Sequence, residues 1–467
     1  MTASTMGSSS THERVSSRTL ILYSLPVLGM AAMFWLVMLY LLKYSTDVLG
    51  LAPALVGGLF ALGRIWDAVS DPMAGYLSDR TRSRWGRRRP WFAAAALPIG
   101  AGFIALWTVP RGLDPTVAGL WLGVALLFFY TAQTIFNVPH AALGAELSED
   151  HHERTRVFAT RANFENLGMF LGIGALAIVE NAAQPRAAMA WTSLAMAVPA
   201  ALLMLIPAVW LRERRAYQGR GATRPWRAAR DVWRNVHARR LFPVLMFSEM
   251  GFGCMVVALP FVAEHILGMP GLTSLFLVAA MVPLALSIPV WAKLSRRIGK
   301  QRAWLIGSSL SALGFFGLFF IEVGDWLTIA LASVWIGATS GASRALSASV
   351  KADIIDVDEL RTGERKEGAY FAAWNLSLKA AGGLAVAIAG FVLQFSGYAA
   401  GAPVEDGDPM GLRWLLAVLP GLFMGTASLL LAGLRLDEAQ HRSVRERLSQ
   451  RAKPALTDPI LISHAEG

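Results

Sequence analysis

The chain has 467 residues, 55% of them hydrophobic and only 16% charged, against about 25% charged in ordinary soluble domains, which excludes an ordinary soluble protein and makes the bilayer the expected solvent. Its formal net charge of +11 would in a soluble chain raise nucleic-acid binding, so where the basic residues sit decides what they mean. A single cysteine, Cys254, excludes a disulfide framework or a cysteine metal cluster and is expected to be a small core residue.

A spanning helix needs roughly 20 mostly apolar residues, and twelve such stretches follow one another. Residues 1–18 are polar and Ser/Thr-rich with no cleavage pattern behind a short apolar region, so they read as a cytoplasmic tail, with the first span, 19–43, kept as an anchor. The second span, 54–77, contains Trp66-Asp67-Ala-Val-Ser70-Asp71-Pro72, and the loop behind it, Ser78 to Pro90, carries Arg80, Arg82, Arg84, Arg87, Arg88 and Arg89. Spans 91–109 and 118–140 come next, the latter with Thr134 and Asn137 on one face beside Pro139 and His140. The fifth span, 163–180, begins just after Arg161 and holds Glu165; the sixth is 187–211. A basic linker, 212–240, separates this group from spans 241–267 (with Glu249 and Cys254), 272–294, 303–322, 326–350 (with Arg344), 368–395 (with Trp374 and Lys379) and 411–434, and a charged tail, 435–467, ends the chain.

Only helices and closed barrels satisfy their backbone groups inside lipid, and these segments lack the short alternating pattern of barrel strands. The expected fold is therefore an all-α membrane protein with twelve transmembrane helices. Basic residues crowd into alternate connections, while the loops on the other side hold only Arg111 and Arg186. This asymmetry places the arginine-rich loops and both termini in the cytoplasm of a multi-pass inner (plasma) membrane protein, and argues against nucleic acid as a partner.

Self-comparison divides the chain in two. Asp47-Val-Leu-Gly-Leu-Ala-Pro53 resembles Glu264-His-Ile-Leu-Gly-Met-Pro270. Ser78-Asp-Arg80 with Trp85-Gly86 and Arg89-Pro-Trp91 resembles Ser295-Arg-Arg297 with Ile298-Gly299 and Arg302-Ala-Trp304, and Ala145-Glu146 through Thr155 resembles Ala352-Asp353 through Thr362. The matches keep their order at a near-constant offset. Two six-helix pseudo-repeats, 19–211 and 241–434, in one orientation are the architecture of the major facilitator fold, which holds its solute between the halves near the midplane. The basic loops with a Gly turn after spans two and eight look like that superfamily's cytoplasmic gating motif, or serve topology alone.

The repeat also acts as a control on Asp67 and Asp71. The equivalent positions in the second half are Leu284 and Ile288, so the scaffold alone does not require acids there. Spaced i, i+4, the two carboxylates share a helix face, about 20 and about 25 Å from the start of the span. An intramembrane carboxylate costs roughly 2.5–3.5 kcal/mol on insertion scales and is functional by default. Two side by side repel unless a positive charge lies between them: Na+ or a proton answers that need, and ion pairing with Arg64 or loop arginines is the structural alternative. Pro72 lacks an N–H and frees the carbonyl of Ala68. Lys379, twelve residues into its span, needs a counter-charge, and the aspartates are the obvious partners. Trp374 is on the same span, and Trp35, Tyr370 and Trp374 can stack on a sugar ring. His140 is expected to be a hydrogen-bonded helix residue.

At these residues the chain resembles the glycoside-pentoside-hexuronide:cation symporters, the melibiose permease family within the major facilitator superfamily. Arg64-Ile-Trp-Asp67 through Asp71-Pro72, Arg80-Thr-Arg-Ser-Arg-Trp-Gly86, Asn137-Val-Pro139 to Glu146 with Glu153-Arg-Thr155, and Ala352-Asp-Ile-Ile-Asp356 through Glu367-Gly368 carry the likeness, which extends over all twelve spans. It implies a site for Na+, Li+ or H+ at Asp67 and Asp71, helped by Ser70 and Thr134, with Arg161 and Lys379 linking it to a sugar site near Asn137 and Trp374. Two acids that hold sugar in the melibiose branch fall here on Ala31 and Asn137.

The function expected is symport of a sugar, glycoside or related small polar solute by a monomer in membrane lipid, with no cofactor besides the coupling ion. The alternatives are an amphipathic solute such as a lysolipid, carried by animal relatives, or a sensor that has lost transport. A membrane enzyme is not expected: there is no HExxH, no phosphate loop and no nucleophile with its base.

Overall fold

The computed structural model describes residues 14–148, 150–211, 213, 230, 232–322, 324–363, 367–398 and 410–434, with short pieces between 443 and 450. Most of the two tails and of the 212–240 linker therefore lies outside the described residues, as does the loop near 400.

Among the described residues there are twelve long helices. The first six are α1 (Ser17–Lys43), α2 (Pro53–Arg80), α3 (Arg89–Trp107), α4 (Pro115–Glu146), α5 (His151–Glu180) and α6 (Pro185–Trp210). The second six are α7 (Val236–His265), α8 (Thr273–Ile298), α9 (Lys300–Gly317), α10 (Trp326–Thr362), α11 (Glu367–Phe395) and α12 (Met410–Ala432). A π-helical turn, Tyr44–Val48, prolongs α1, and another, Trp414–Val418, interrupts α12.

Start signals are written into the chain. Proline opens α2, α4 and α6, where a missing N–H costs nothing, and the side chains of Asp114 and Asn235 accept backbone N–H groups at the starts of α4 and α7. Gly86 and Gly299, paired by the internal repeat, both turn with positive φ, 109° and 89°, a conformation that strains any side chain with a Cβ.

Eleven of these helices are long and apolar enough to cross a membrane. The twelfth, α2, falls short because Arg64, Asp67 and Asp71 lower its hydropathy between apolar flanks. Two predicted boundaries need correction. Helix α5 starts at His151 rather than 163, and α10 runs to Thr362 rather than 350. At 1.5 Å per residue the 37 residues of α10 reach about 55 Å, well past the hydrocarbon, so both helices project charged turns beyond the bilayer at the arginine-rich end.

In the first half α1 packs on α5 and α6, and α4 packs on α2 and α3; in the second, α7 packs on α11 and α12, and α10 on α8 and α9. The halves meet chiefly along α2 and α11, with smaller contacts between α1 and α7 and between α5 and α8. Glycine lets α2 and α11 approach closely. A Cβ on Gly57 would lie 3.0 Å from the Ala387 backbone, and one on Gly390 would collide with the Pro53 carbonyl. Both contacts lie toward the end opposite the arginine-rich loops, called the far end below.

The repeated loops also match in space. Arg87 Nη2 lies 2.6 Å from Glu146 Oε1, and Lys300 Nζ lies 2.7 Å from Asp353 Oδ2, so corresponding basic and acidic positions pair within each half. The first-half loop is the more elaborate. Glu213 accepts the backbone N–H groups of Arg87, Arg88 and Arg89 at 2.7–2.9 Å and so caps α3 from outside.

Candidate functional site

The α2–α11 seam brings together Asp67, Ser70 and Asp71 from α2, Tyr130 and Thr134 from α4, and Lys379 from α11. Asp67 and Asp71 lie on one face because four residues make just over one turn, and the proline behind them leaves α2 continuous through Arg80. Lys379 Nζ is 2.6 Å from Asp71 Oδ2 and 3.7 Å from Asp67 Oδ2. Thr134 donates to Asp71 Oδ1 at 2.8 Å and takes a long hydrogen bond, 3.5 Å, from Ser70.

The two aspartates differ in surroundings. Asp67 is 2% exposed and receives Arg64 Nη1 at 2.8 Å; the same guanidinium donates to Tyr130 Oη at 2.6 Å, with its carbon 4.3 Å from the centre of the tyrosine ring. The structural alternative of pairing with Arg64 therefore describes Asp67. Asp71 is different: its side chain is 26% exposed, and its cationic partner comes from the other half of the molecule. With all four groups ionised, Arg64, Lys379, Asp67 and Asp71 sum to zero, which explains how two acids are held inside a greasy bundle.

The donor set suits a hard cation. Asp71 offers two oxygens, Ser70 and Thr134 a hydroxyl each, and Asp67 Oδ1 accepts no hydrogen bond among the described residues. These are all-oxygen ligands of the kind that hold alkali and alkaline-earth ions, and either carboxylate can instead take a proton. Occupation by an ion requires Lys379 to withdraw, since its ammonium fills the same electrostatic position.

The other predicted site residues are not gathered here. Arg161 reaches Glu165 on its own helix, 3.3 Å away, and is no neighbour of the aspartates. Trp374 is 1% exposed; Tyr370 and Phe371 pack on it and Lys351 Nζ lies 5.5 Å over its ring, so in this conformation its face is closed to a solute. Asn137 is half-buried and makes no hydrogen bond among the described residues. Arg344 and Glu249 approach no closer than 3.9 Å, beside Phe252, which meets Trp35 of the first half. His140 is fully buried, with its Nε2 2.7 Å from the Tyr23 carbonyl and its ring stacked on Tyr23; it ties α4 to α1. Sequence reasoning missed Tyr130, whose signal was its place one turn before Thr134 on the same face of α4.

Known proteins resemble the chain over nearly all its length. The MFS/sugar transport protein family matches residues 22–438. The glucuronide carrier protein homolog of Escherichia coli is 25% identical over 95% of this chain and 97% of its own. The inner membrane symporter YicJ of the same organism is 24% identical over 89% and 91%, and the zebrafish (Danio rerio) sodium-dependent lysophosphatidylcholine symporter 1-A is 24% identical over 88% and 84%. Solved folds agree: a bacterial homolog of the lysosomal transporter Spinster, in an inward-facing conformation, superposes with a TM-score of 0.66 at 13% identity over 94% of this chain and 99% of that one, and the nucleoside transporter NupG with 0.60 at 14% over 90% and 98%. These neighbours are membrane transporters, not enzymes. With twelve helices in two like halves and a family match that leaves only the termini uncovered, the chain belongs to the MFS/sugar transport protein family and is a multi-pass membrane symporter-family protein of the major facilitator fold.

Proposed function

We propose that the protein is a cation-coupled symporter of a sugar, glycoside or related small polar solute, driven by Na+ or H+ through alternating access. The observation that carries this reading is the Asp71–Lys379 pair, a charge contact that joins the halves at mid-depth and that a cation can replace. An ion held by Asp71, Asp67, Ser70 and Thr134 releases Lys379, loosens the α2–α11 seam and changes the wall of the central cavity. Solute binding and ion binding then favour each other reciprocally. On this reading the arginine-rich loops face the cytoplasm of the inner membrane, and the α2–α11 seam closes the far end.

The test is uptake into proteoliposomes of labelled neutral glycosides, uronides and lysolipids under an imposed Na+ or H+ gradient. Gradient-driven uptake of a sugar-type solute that disappears in Asp71→Asn is expected. Uptake that remains fully cation-dependent in that variant removes the pair from the coupling site, and uptake of lysolipid alone moves the solute class to amphiphiles.

A further inference from the structure

A second group of two acids and one lysine joins the halves at the far end, outside the site just described. Lys43, in the last turn of α1 and 6% exposed, places its Nζ 2.6 Å from Asp47 Oδ2 and 2.5 Å from Glu264 Oε2, the latter on α7. The same ammonium lies 5.0 Å from the centre of the Phe261 ring. Tyr398, just past α11, donates its hydroxyl to Asp47 Oδ1 at 2.8 Å, and Thr46 donates to the same oxygen at 2.9 Å. Because the one phenolic proton is committed to Asp47, the 2.9 Å contact between Tyr398 and His265 Nε2 has the imidazole N–H donating to the tyrosine oxygen. Burial and the neighbouring Asp47 carboxylate hold the Tyr398 phenol well above its ordinary pKa, so that proton stays in place.

The internal repeat explains why the group exists. Asp47 and Glu264 occupy matching positions in the two halves, and the relation between the halves brings both acids to the same place, where they repel. The position matching Lys43 in the second half is Pro260. One lysine, present in one half only, therefore turns a repulsive meeting into an attractive one.

We propose that Lys43, Asp47, Glu264, His265 and Tyr398 form the far-side latch of the transporter, holding the halves shut at this end and parting whenever the cavity opens there. The proposal rests on the alternating-access reading only in requiring that the halves move. Lys43 is buried while the Glu264 side chain is 41% exposed, so loss of the lysine leaves two acids facing each other without a counter-charge, and the Tyr398 bond adds a tether from the end of α11. Among the described residues, the ion pairs that cross between the halves are those of Lys379 with Asp67 and Asp71 at mid-depth and of Lys43 with Glu264 here, so this group adds directed bonds to the α2–α11 packing at the far end.

The test reads opening without any solute or ion gradient. In a Cys254→Ser background, spin labels at Arg111→Cys and Trp326→Cys, at the far ends of the two halves, report the separation by pulsed electron resonance in nanodiscs. A single short distance is expected with the latch intact. Lys43→Gln and Tyr398→Phe each add a longer-distance population, shifting the open-to-closed ratio by roughly tenfold or more, and the swap Lys43→Glu with Glu264→Lys, which again sets one lysine between two acids, restores the short distance. An unchanged distribution in both Lys43→Gln and Tyr398→Phe overturns the latch. Because Tyr398→Phe keeps the ring, it folds where a charge deletion does not. Failure of the ion-coupling reading would show in uptake and leave these distances untouched.

Discussion

The two aspartates of α2 sit one turn apart yet do different work, and substitution should separate them. Asp67 is enclosed with Arg64 and Tyr130, so removing its charge strands a buried guanidinium; breaking such a pair from one side costs about 3–5 kcal/mol. Asp67→Asn is therefore expected to lower the thermal stability of the purified protein, and replacing both Arg64 and Asp67 by leucine to recover much of the loss, as thermal unfolding in detergent would record. Asp71 is more open and accepts from Thr134 on one oxygen and from Lys379 of the opposite half on the other. Asp71→Asn should leave the unfolding temperature within a few degrees of the parent while abolishing cation-dependent uptake. If the two variants lose stability equally, the division of roles is wrong.

At the scale of single helices, close approach and capping set the limits. Gly390 of α11 lies against the Pro53 carbonyl of α2, so Gly390→Val has nowhere to place its side chain. Overpacking of this kind costs typically about 1–3 kcal/mol, and the variant should either unfold at lower temperature or spread the far-end distance distribution. Asp114 caps α4 through the N–H of Thr116, and those hydrogen bonds hold its carboxyl below the ordinary value. A depressed folded-state pKa gives stability that is complete above the unfolded pKa and is lost as pH falls through the folded one. Asn caps equally well without titrating. A small difference in unfolding temperature between the parent and Asp114→Asn, present near pH 6 and fading below about pH 4, is the expected result. Helix existence was legible from the apolar runs, and the Gly86 and Gly299 turns from the repeat. The extensions of α5 and α10 were not, because charged turns outside the hydrocarbon carry no hydropathy signal and are held by contacts between elements.

Across the whole molecule, what could be read in advance was the chemistry confined to one helix, and what could not was the choice of partner across the seam. Asp67 and Asp71 were visible as acids that the repeat does not require, and Lys379 as a lysine in want of them. Trp374 was marked only by sharing a span with Lys379, and its ring turns into the second-half core, a matter of helix rotation that no local pattern encodes. Lys43 passed unnoticed for the same reason: its nearest acid, Asp47, is an ordinary i, i+4 neighbour, and only folding delivers Glu264 to its other side. The result is two assemblies of similar design, each a lysine between two acids and each bridging the halves. The mid-depth site carries Arg64 as well and is neutral only while Lys379 is in it, so removing that lysine leaves one surplus negative charge for an ion to satisfy. Lys379→Gln should then bind Na+, if Na+ is the coupling ion, more tightly than the parent in equilibrium titration, yet transport more slowly, because the variant no longer exchanges one positive charge for another as the halves move. An affinity that falls together with the rate would mean that Lys379 helps to hold the ion rather than standing in for it.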